Sequence, residues 1–178
     1  ILNNPEFIIF TGPMFGSKTT RMLAAIDRYR YQNKIVKAFK PKIDKRYEIS
    51  SISTHSGGTI PAICVETGED ITKSITGHVD VIAVDEAFMI PDVSSALVNL
   101  FQKGYTVVVS SLQLSASNKV FKEIRDILPW ATKVEVCPAV CPMCGSDAYY
   151  THRKVKDIEE IAVGGAELYE PRCYEHQN

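Results

Sequence analysis

The stretch FIIFTGPMFGSKTT, residues 7–20, decides the fold. A short apolar run ends at a glycine-rich turn, and the turn closes with Lys18 and Thr19 before an amphipathic helical pattern begins. This layout is typical of a phosphate-binding loop (P-loop), in which successive backbone N–H groups and the positive end of a helix dipole face an anion. The stretch therefore predicts a nucleotide-binding α/β domain, and the alternative is an ordinary strand-to-helix turn.

One position of this loop departs from the usual pattern G-x-x-x-x-G-K-[ST]. Ser17 stands where the second glycine is usual, and Gly16 lies one place earlier. Ser17 must adopt the backbone angles that the turn requires, which costs free energy if its φ angle is positive. We expect Lys18 to reach the β- and γ-phosphates and Thr19 to bind Mg²⁺. The predicted ATP and phosphate contacts are Gly12, Pro13, Met14, Phe15, Gly16, Ser17, Lys18, Thr19 and Asp85.

An acidic pair follows a second buried strand. The run VDVIAV, residues 79–84, is apolar and rich in β-branched residues, and Asp85 and Glu86 come directly after it. Parallel sheets bind their ligands at the carboxyl ends of the strands, so we expect Asp85 to bind Mg²⁺ together with Thr19. Glu86 is then free to act as a base. Many strands end in acidic residues, so such a pair by itself is a weak signal. It is informative here because the chain also contains a P-loop.

Strands and helices alternate along the first part of the chain. Hydrophobic patterns predict strands over 35–39, 62–65, 79–84, 105–112 and 133–140, and helices after Lys18, over 69–75, from a capping Asp92 to about Gln102, and over 119–128. The polar segment 40–58 has little helical period and predicts a long loop or an irregular hairpin. Such alternation predicts a three-layer α/β fold, P-loop NTPase-like, with a mostly parallel sheet.

Asp44 and Arg46 stand out within the polar segment. An arginine there could meet a phosphate or hold the aspartate. Composition alone favours a solvated surface pair instead. The residues by themselves leave both interpretations open.

Composition narrows the function classes. The 178 residues include 20 Lys and Arg against 21 Asp and Glu, and 45% are hydrophobic, which suits one globular domain with a small appendage. Balanced charge gives no electrostatic footprint for nonspecific nucleic-acid binding. No apolar run is long enough to cross a membrane, and no signal peptide is recognised. We therefore expect a cytoplasmic protein that binds neither membrane nor nucleic acid.

The C-terminal region carries two pairs of potential metal ligands with equal spacing. Cys141 and Cys144 form a C-x-x-C, and Cys173 and His176 repeat its spacing. Four such ligands predict a tetrahedral zinc site that is structural, because no coordination position stays open. A redox C-x-x-C and unrelated thiols are the alternatives. Cys137 is predicted to lie outside the ligand set.

These observations divide the chain in two. Residues 1–136 are predicted to form the P-loop α/β domain, and residues 137–178 a small zinc ribbon. The metal would offset a ribbon core that is too small to fold alone.

The combined motifs resemble the type II thymidine kinase family. GPMF…KT in the P-loop, K-P-x-x-D-x-R-Y in the polar segment, VDEA after the strand and VGG…Y…C…H in the ribbon lie within residues 10–176. The linked set is much more specific than any single motif. The resemblance implies an enzyme that transfers the γ-phosphoryl group of ATP to the 5′-hydroxyl of thymidine, with Mg²⁺ and a structural Zn²⁺. Family members are commonly homotetramers, so the resemblance also implies a homo-oligomer.

The resemblance implies roles for single residues. Glu86 matches the catalytic base that accepts the 5′-hydroxyl proton, and Asp44 and Arg46 match the D-x-R-Y of the family, which favours a place at the site. In the family, a ribbon loop closes over the base and holds it largely through main-chain groups, so the metal would anchor both ends of a lid. The implied nucleoside contacts are Met14, Leu112, Ile161, Val163, Gly164 and Tyr169.

Some positions depart from the family pattern. Phe88 and Met89 stand where Gln and Phe are usual, Gln113 replaces an aspartate, and Ala116 stands in place of an aromatic wall of the base pocket. A kinase with an altered deoxynucleoside preference is therefore one alternative. A P-loop ATPase with a nucleic-acid-binding ribbon is a second, which the acidic side chains of the ribbon disfavour. A catalytically silent paralogue is a third, which the intact phosphate and acidic motifs disfavour.

Overall fold

The computed structural model describes residues 4–42, 51–53, 58–155 and 163–177. The strands are β1 Phe7–Thr11, β2 Val36–Pro41, β3 Ser51–Ser53, β4 Thr59–Pro61, β5 Ile63–Val65, β6 Val81–Val84, β7 Thr106–Ser111, β8 Lys133–Val136, β9 Ala139–Val140, β10 Asp147–Ala148, β11 Tyr150–Arg153 and β12 Tyr169–Arg172. The α-helices are α1 Lys18–Tyr31, α2 Gly68–Ser74, α3 Val93–Gln102 and α4 Lys122–Ile127. Short 3₁₀ turns cover Ala87–Met89, Leu128–Trp130 and Tyr174–His176.

Six strands form one parallel sheet in the order β5-β2-β6-β7-β1-β8. Both faces of the sheet are covered, as parallel sheets require. Along β1, Phe7 and Ile9 belong to a core cluster with side chains of α2, α3 and α4, whereas Ile8 and Phe10 belong to a cluster with side chains of α1. The predicted α/β fold with a mostly parallel sheet is confirmed. Because all six strands run the same way, their carboxyl ends meet at one edge.

Two helices differ from their predicted form. The segment predicted as a helix over 119–128 becomes helical only at Lys122, and Leu128 begins a 3₁₀ turn and is 38% exposed. Asp92 precedes α3 as predicted, but its side chain makes no capping hydrogen bond. The Glu123 carboxylate accepts hydrogen bonds from the backbone N–H of Asp92 at 3.2 Å and of Ser94 at 2.7 Å. The cap of α3 therefore comes from another helix.

The segment predicted as one strand over 133–140 splits in two. Its first half is β8 at the edge of the parallel sheet, and its second half is β9, which pairs with β10. Cys137 lies between them and is fully buried. Its N–H donates a 2.7 Å hydrogen bond to the carbonyl of Thr11, so β8 stays in register with β1 up to this point.

Short antiparallel hairpins complete the described chain. β3, which lies within the segment 40–58 for which a loop or irregular hairpin was predicted, pairs with β4, which directly follows that segment. Near the C-terminus, β9 pairs with β10 and β11 with β12. Four small residues make up the core cluster of this ribbon: Ala139, Cys141, Ala148 and Cys173. Among the described residues, no helix is long and apolar enough to cross a membrane.

Candidate active site

The P-loop joins β1 to α1 with three residues at positive φ. Gly12 has φ 135°, Phe15 has φ 65° and Ser17 has φ 59°. A non-glycine residue in this region costs about 1–3 kcal/mol, and such strain concentrates at functional sites. Ser17 directly precedes the first residue of α1 and makes no side-chain cap. The backbone strain expected at Ser17 is therefore present, and it lies at the N-terminus of α1.

Space rather than backbone angle explains the displaced glycine. A Cβ atom at Gly12 or at Gly16 would overlap the carbonyl oxygen of Cys137. That carbonyl belongs to the residue that follows β8, and it lies directly against the backbone of the P-loop. Glycine is required where the loop backbone meets this oxygen, whereas Ser17 is exposed. The sequence could not assign this role to Cys137, because the contact joins residues more than a hundred positions apart.

Lys18 is the first residue of α1 and is 6% exposed. Its Nζ donates a 2.6 Å hydrogen bond to the carbonyl oxygen of Pro13, so the ammonium folds over the loop. A buried ammonium beside a ring of backbone N–H groups makes this end of the helix strongly positive. This arrangement suits a triphosphate group.

Thr19 and Asp85 come together at the carboxyl edge of the sheet. The Thr19 hydroxyl donates to the two carboxylate oxygens of Asp85 at 3.1 and 3.3 Å. Asp85 is 8% exposed and directly follows β6. Hydroxyl and carboxylate oxygens are ligands that Mg²⁺ prefers, so the pair fits the predicted metal position.

Glu86 lies next to this pair in a strained conformation. Its φ is 50° and its ψ is 42°, and its N–H donates a 3.1 Å hydrogen bond to Oδ1 of Asp85. The following 3₁₀ turn is closed by the N–H of Met89, which donates to the Glu86 carbonyl at 3.0 Å. Glu86 is half-buried and directly follows Asp85 at the edge where parallel sheets bind ligands.

The residues that the resemblance assigns to a nucleoside come from both parts of the chain. Met14 packs against the core cluster to which buried Leu112 belongs. Tyr169 is 5% exposed in β12, and the Arg153 guanidinium lies 5.9 Å from the centre of its ring. Gly164 is buried and Val163 half-buried. Ile161, like Asp44 and Arg46, lies outside the described residues.

One hydrogen bond connects the ribbon to the P-loop. The N–H of Met14 donates to the hydroxyl of Thr151 at 3.1 Å, across 137 positions of sequence. Thr151 lies in β11 and is 6% exposed. The sequence analysis missed Thr151, because no local pattern marks a threonine whose partner is a distant backbone amide.

The four predicted zinc ligands converge, with all their ligand atoms within 4.8 Å of one another. The Sγ atoms of Cys144 and Cys173 are 3.7 Å apart, and Nδ1 of His176 lies 3.9 Å from Sγ of Cys141. A tetrahedral zinc ion with Zn–S bonds of about 2.3 Å separates its sulfurs by about 3.8 Å, so the cluster has the size that zinc requires.

The backbone prepares one of these thiols for metal binding. Burial acts to raise the pKa of Cys141, but hydrogen bonds from the N–H groups of Cys173 and Met143, with the neighbouring thiols, outweigh it and lower that pKa to about 6. Burial raises the pKa of Cys173. A thiolate is the metal-binding form of cysteine, so the Cys141 environment favours a cation.

Comparison with known proteins agrees with this geometry. The family description "Thymidine kinase" matches residues 6–177. A protein named thymidine kinase from Pyrobaculum aerophilum is 31% identical over 179 aligned residues, covering 95% of this chain and 96% of the relative. The chain belongs to the thymidine kinase family. It is therefore a kinase, and the resemblance seen in the sequence is confirmed.

The described structure shows what surrounds two of the departures from the family pattern. Phe88 is 8% exposed, and its ring packs against that of Phe121 with centroids 4.6 Å apart. The N–H of Phe88 donates a 3.0 Å hydrogen bond to the Ser111 hydroxyl, which in turn donates to the Leu112 carbonyl at 3.1 Å. Ala116 lies half-buried in the segment that follows β7. In this thymidine kinase family member, aromatic side chains thus lie at Phe88 and Phe121 rather than at position 116.

Proposed function

We propose that this kinase transfers the γ-phosphoryl group of ATP to the 5′-hydroxyl of thymidine. The observation that carries the proposal is the contact between Thr19 and Asp85 at 3.1 Å, with Glu86 directly beside it. A P-loop, a metal-binding pair and an adjacent carboxylate are the parts that phosphoryl transfer requires. The relative named thymidine kinase supports thymidine as the acceptor.

The P-loop would bind the phosphates through its backbone N–H groups, and Lys18 would neutralise charge on the transferring group. Thr19 and Asp85 would hold Mg²⁺, which would neutralise part of the charge on the phosphates. Glu86 would orient the 5′-hydroxyl and accept its proton. In a loose transition state the nucleophile needs little activation, so a carboxylate that takes the proton late is sufficient.

The ribbon would close the nucleoside end of the site. Cys141, Cys144, Cys173 and His176 would bind a structural Zn²⁺ that fixes β9 and β12 relative to each other. Tyr169 and Gly164 would then lie on a segment anchored by the metal. The hydrogen bond from Met14 to Thr151 would couple this segment to the P-loop.

Four expectations stay predictions. We expect residues 1–136 to form the P-loop domain and residues 137–178 to form a zinc-ribbon domain that closes over the nucleoside, and we expect a homotetramer by family resemblance. A cytoplasmic location and the absence of nucleic-acid binding follow from composition alone.

The test of the proposed function is ADP formation with Mg-ATP and each deoxynucleoside. We expect turnover with thymidine in the wild type and a loss of about 10²–10⁴-fold in kcat for Glu86→Gln, the typical contribution of general acid–base catalysis. Glu66→Gln is the matched control, because Glu66 is exposed in a surface ion pair with Lys42. Equal rates for Glu86→Gln and the wild type would remove Glu86 from the mechanism.

The packing of Phe88 against Phe121 favours a second candidate, a kinase with an altered nucleoside preference. The aromatic pair of Phe88 and Phe121 would change the shape of the base pocket. In family members, the aromatic wall of that pocket comes from the position of Ala116. The same panel of nucleosides decides between the two candidates. Turnover with another nucleoside in place of thymidine would support the second candidate, and Phe88→Gln would then be expected to move the preference toward thymidine.

A further inference from the structure

Lys40 is a buried charge that the proposed mechanism does not use. It is 4% exposed, and among the described residues only Lys18 is a comparably buried lysine. Burying an ammonium group costs free energy unless hydrogen bonds and an opposite charge compensate for it. A buried lysine at the ligand-binding edge of a parallel sheet therefore points to a role for its charge.

The neighbours of Lys40 place it on the P-loop face of the sheet. In β2, Phe39 belongs to the core cluster with α2, α3 and α4, whereas Ala38 belongs to the cluster with α1. Side chains of a strand alternate between faces, so Lys40 shares the α1 face with Ala38. Its Nζ donates a 2.6 Å hydrogen bond to the carbonyl oxygen of Ser51, the first residue of β3. Lys40 thus binds the β3–β4 hairpin to the sheet.

The register places Lys40 beside Asp85. Phe39 pairs with Val84, and the N–H of Asp85 donates to the Phe39 carbonyl at 2.9 Å, so the next residues on the two strands are neighbours. Adjacent strands lie about 4.8 Å apart. Asp85 contacts Thr19 of α1, which puts its carboxylate on the same face as Lys40. The register therefore makes a buried lysine and a buried aspartate neighbours on one face of the sheet, between β3, which accepts the hydrogen bond from Lys40, and α1, which carries Thr19.

We propose that Lys40 is a positioning residue for phosphoryl transfer, which fixes the β3–β4 hairpin at the phosphate site and supplies the countercharge that holds Asp85. The inference rests on the proposed function of the same site. The Lys40 ammonium attracts the neighbouring Asp85 carboxylate before nucleotide binds, and its hydrogen bond to Ser51 keeps β3 at the carboxyl edge of the sheet. Lys40 acts through Asp85 and the hairpin rather than on the transferred group.

The first experiment compares Lys40→Met, Lys40→Arg and Lys42→Met. Methionine keeps the approximate volume of the side chain and removes its charge, and because the buried Asp85 then loses its countercharge, the variant should also be less stable than the wild type. We expect Lys40→Met to lower kcat by about 10–100-fold, since small misplacements at a reacting centre have effects of this size. Lys40→Arg should recover most of the rate, and KM for ATP should change less than kcat. Lys42→Met is the matched control, because Lys42 is exposed two residues further on.

The second experiment needs no turnover. Amide hydrogen exchange of β3 and β4 in the absence of nucleotide should be at least about 10-fold faster in Lys40→Met than in the wild type and unchanged in Lys42→Met. A wild type without turnover would refute the proposed function, and the exchange data would still decide whether Lys40 holds the hairpin.

Unchanged hydrogen exchange in β3 and β4 overturns the proposal for Lys40. Faster exchange with a kcat within twofold of the wild type also overturns it, because Lys40 would then be structural only. If Lys40→Met does not fold, the same exchange and kcat measurements on Lys40→Gln decide between these outcomes.

Discussion

The α/β part and the ribbon are stabilised in different ways. Two clusters of large aliphatic and aromatic side chains bury both faces of the parallel sheet. The ribbon cluster holds four small residues, two of them cysteines. Burial of apolar surface contributes about 25 cal/mol per Å², so the two large clusters contribute far more to folding than the four small residues of the ribbon do. We therefore expect the α/β part to fold on its core alone and the ribbon to depend on a metal bound by its cysteines and histidine.

The α/β part and the ribbon also contribute different features to the candidate site. Phe15, Ser17 and Glu86 hold positive φ angles, and all three belong to the α/β part. A large core can sustain such strain, because neighbouring packing fixes the backbone. The ribbon instead contributes a hydroxyl, that of Thr151, to the P-loop. The strained backbone positions and the hydroxyl that contacts the P-loop thus come from different regions.

Metal removal should have the largest effect, because it should unfold the ribbon and leave the α/β part folded. Structural zinc contributes an apparent free energy of about 10–16 kcal/mol to small domains at neutral pH. Chelation, or Cys173→Ser, should abolish hydrogen-exchange protection in β9 to β12 while β1 and β7 keep theirs. Cys64→Ser is the control, because Cys64 lies in β5, outside the ligand set. Loss of protection in both regions together would contradict the comparison.

Substitution of Lys18 should have the next largest effect. Removal of a preorganised electrostatic donor lowers kcat by about 10²–10³-fold, and we expect at least this for Lys18→Met in ADP formation. The metal content of the ribbon, measured by elemental analysis, should not change. Lys103→Met provides the comparison, because Lys103 is exposed after α3. A loss of metal in Lys18→Met would mean that the two regions are less independent than their cores suggest.

Thr151→Val tests the hydrogen bond between the ribbon and the P-loop that joins Thr151 to Met14. The variant leaves the N–H of Met14 without its hydroxyl partner, and an unsatisfied buried donor costs about 1–3 kcal/mol. We expect KM for ATP to rise by about 10-fold, with the metal retained. Thr151→Ser keeps the hydroxyl and should behave like the wild type. Equal KM values in both variants would show that the ribbon does not act on the P-loop through this bond.

Thr67→Ala should have the smallest effect and should be confined to stability. The Thr67 hydroxyl and the Asp70 carboxylate form a capping box at the start of α2. Loss of an N-cap costs about 1 kcal/mol, which urea unfolding of the α/β part should show without a change in kcat. Thr72→Ala in the same helix is the control, because alanine has the higher helix propensity. A change in kcat for Thr67→Ala would mean that α2 reaches the active site.

Much of the candidate site could be predicted from local pattern. The P-loop, the acidic pair and the four metal ligands each lie within a few residues of one another or repeat a fixed spacing. The helix over 119–128 was predicted too long, because Phe121 and Leu128 fit a helical period while Leu128, Pro129 and Trp130 form a 3₁₀ turn. The cap of α3 was assigned to Asp92, since a capping side chain from another helix leaves no local signal.

The sequence by itself determined a parallel α/β fold with a P-loop, an acidic pair and a cysteine ribbon, and the family resemblance of its linked motifs implied a kinase. These features follow from backbone periodicity and from short spacings that chemistry constrains. Only the tertiary structure decided why glycine stands at Gly16 and not at Ser17, and that Lys40 lies beside Asp85 and Thr151 beside Met14. Each of these contacts joins distant segments through packing of the sheet, and such packing is set by the whole fold rather than by any local stretch.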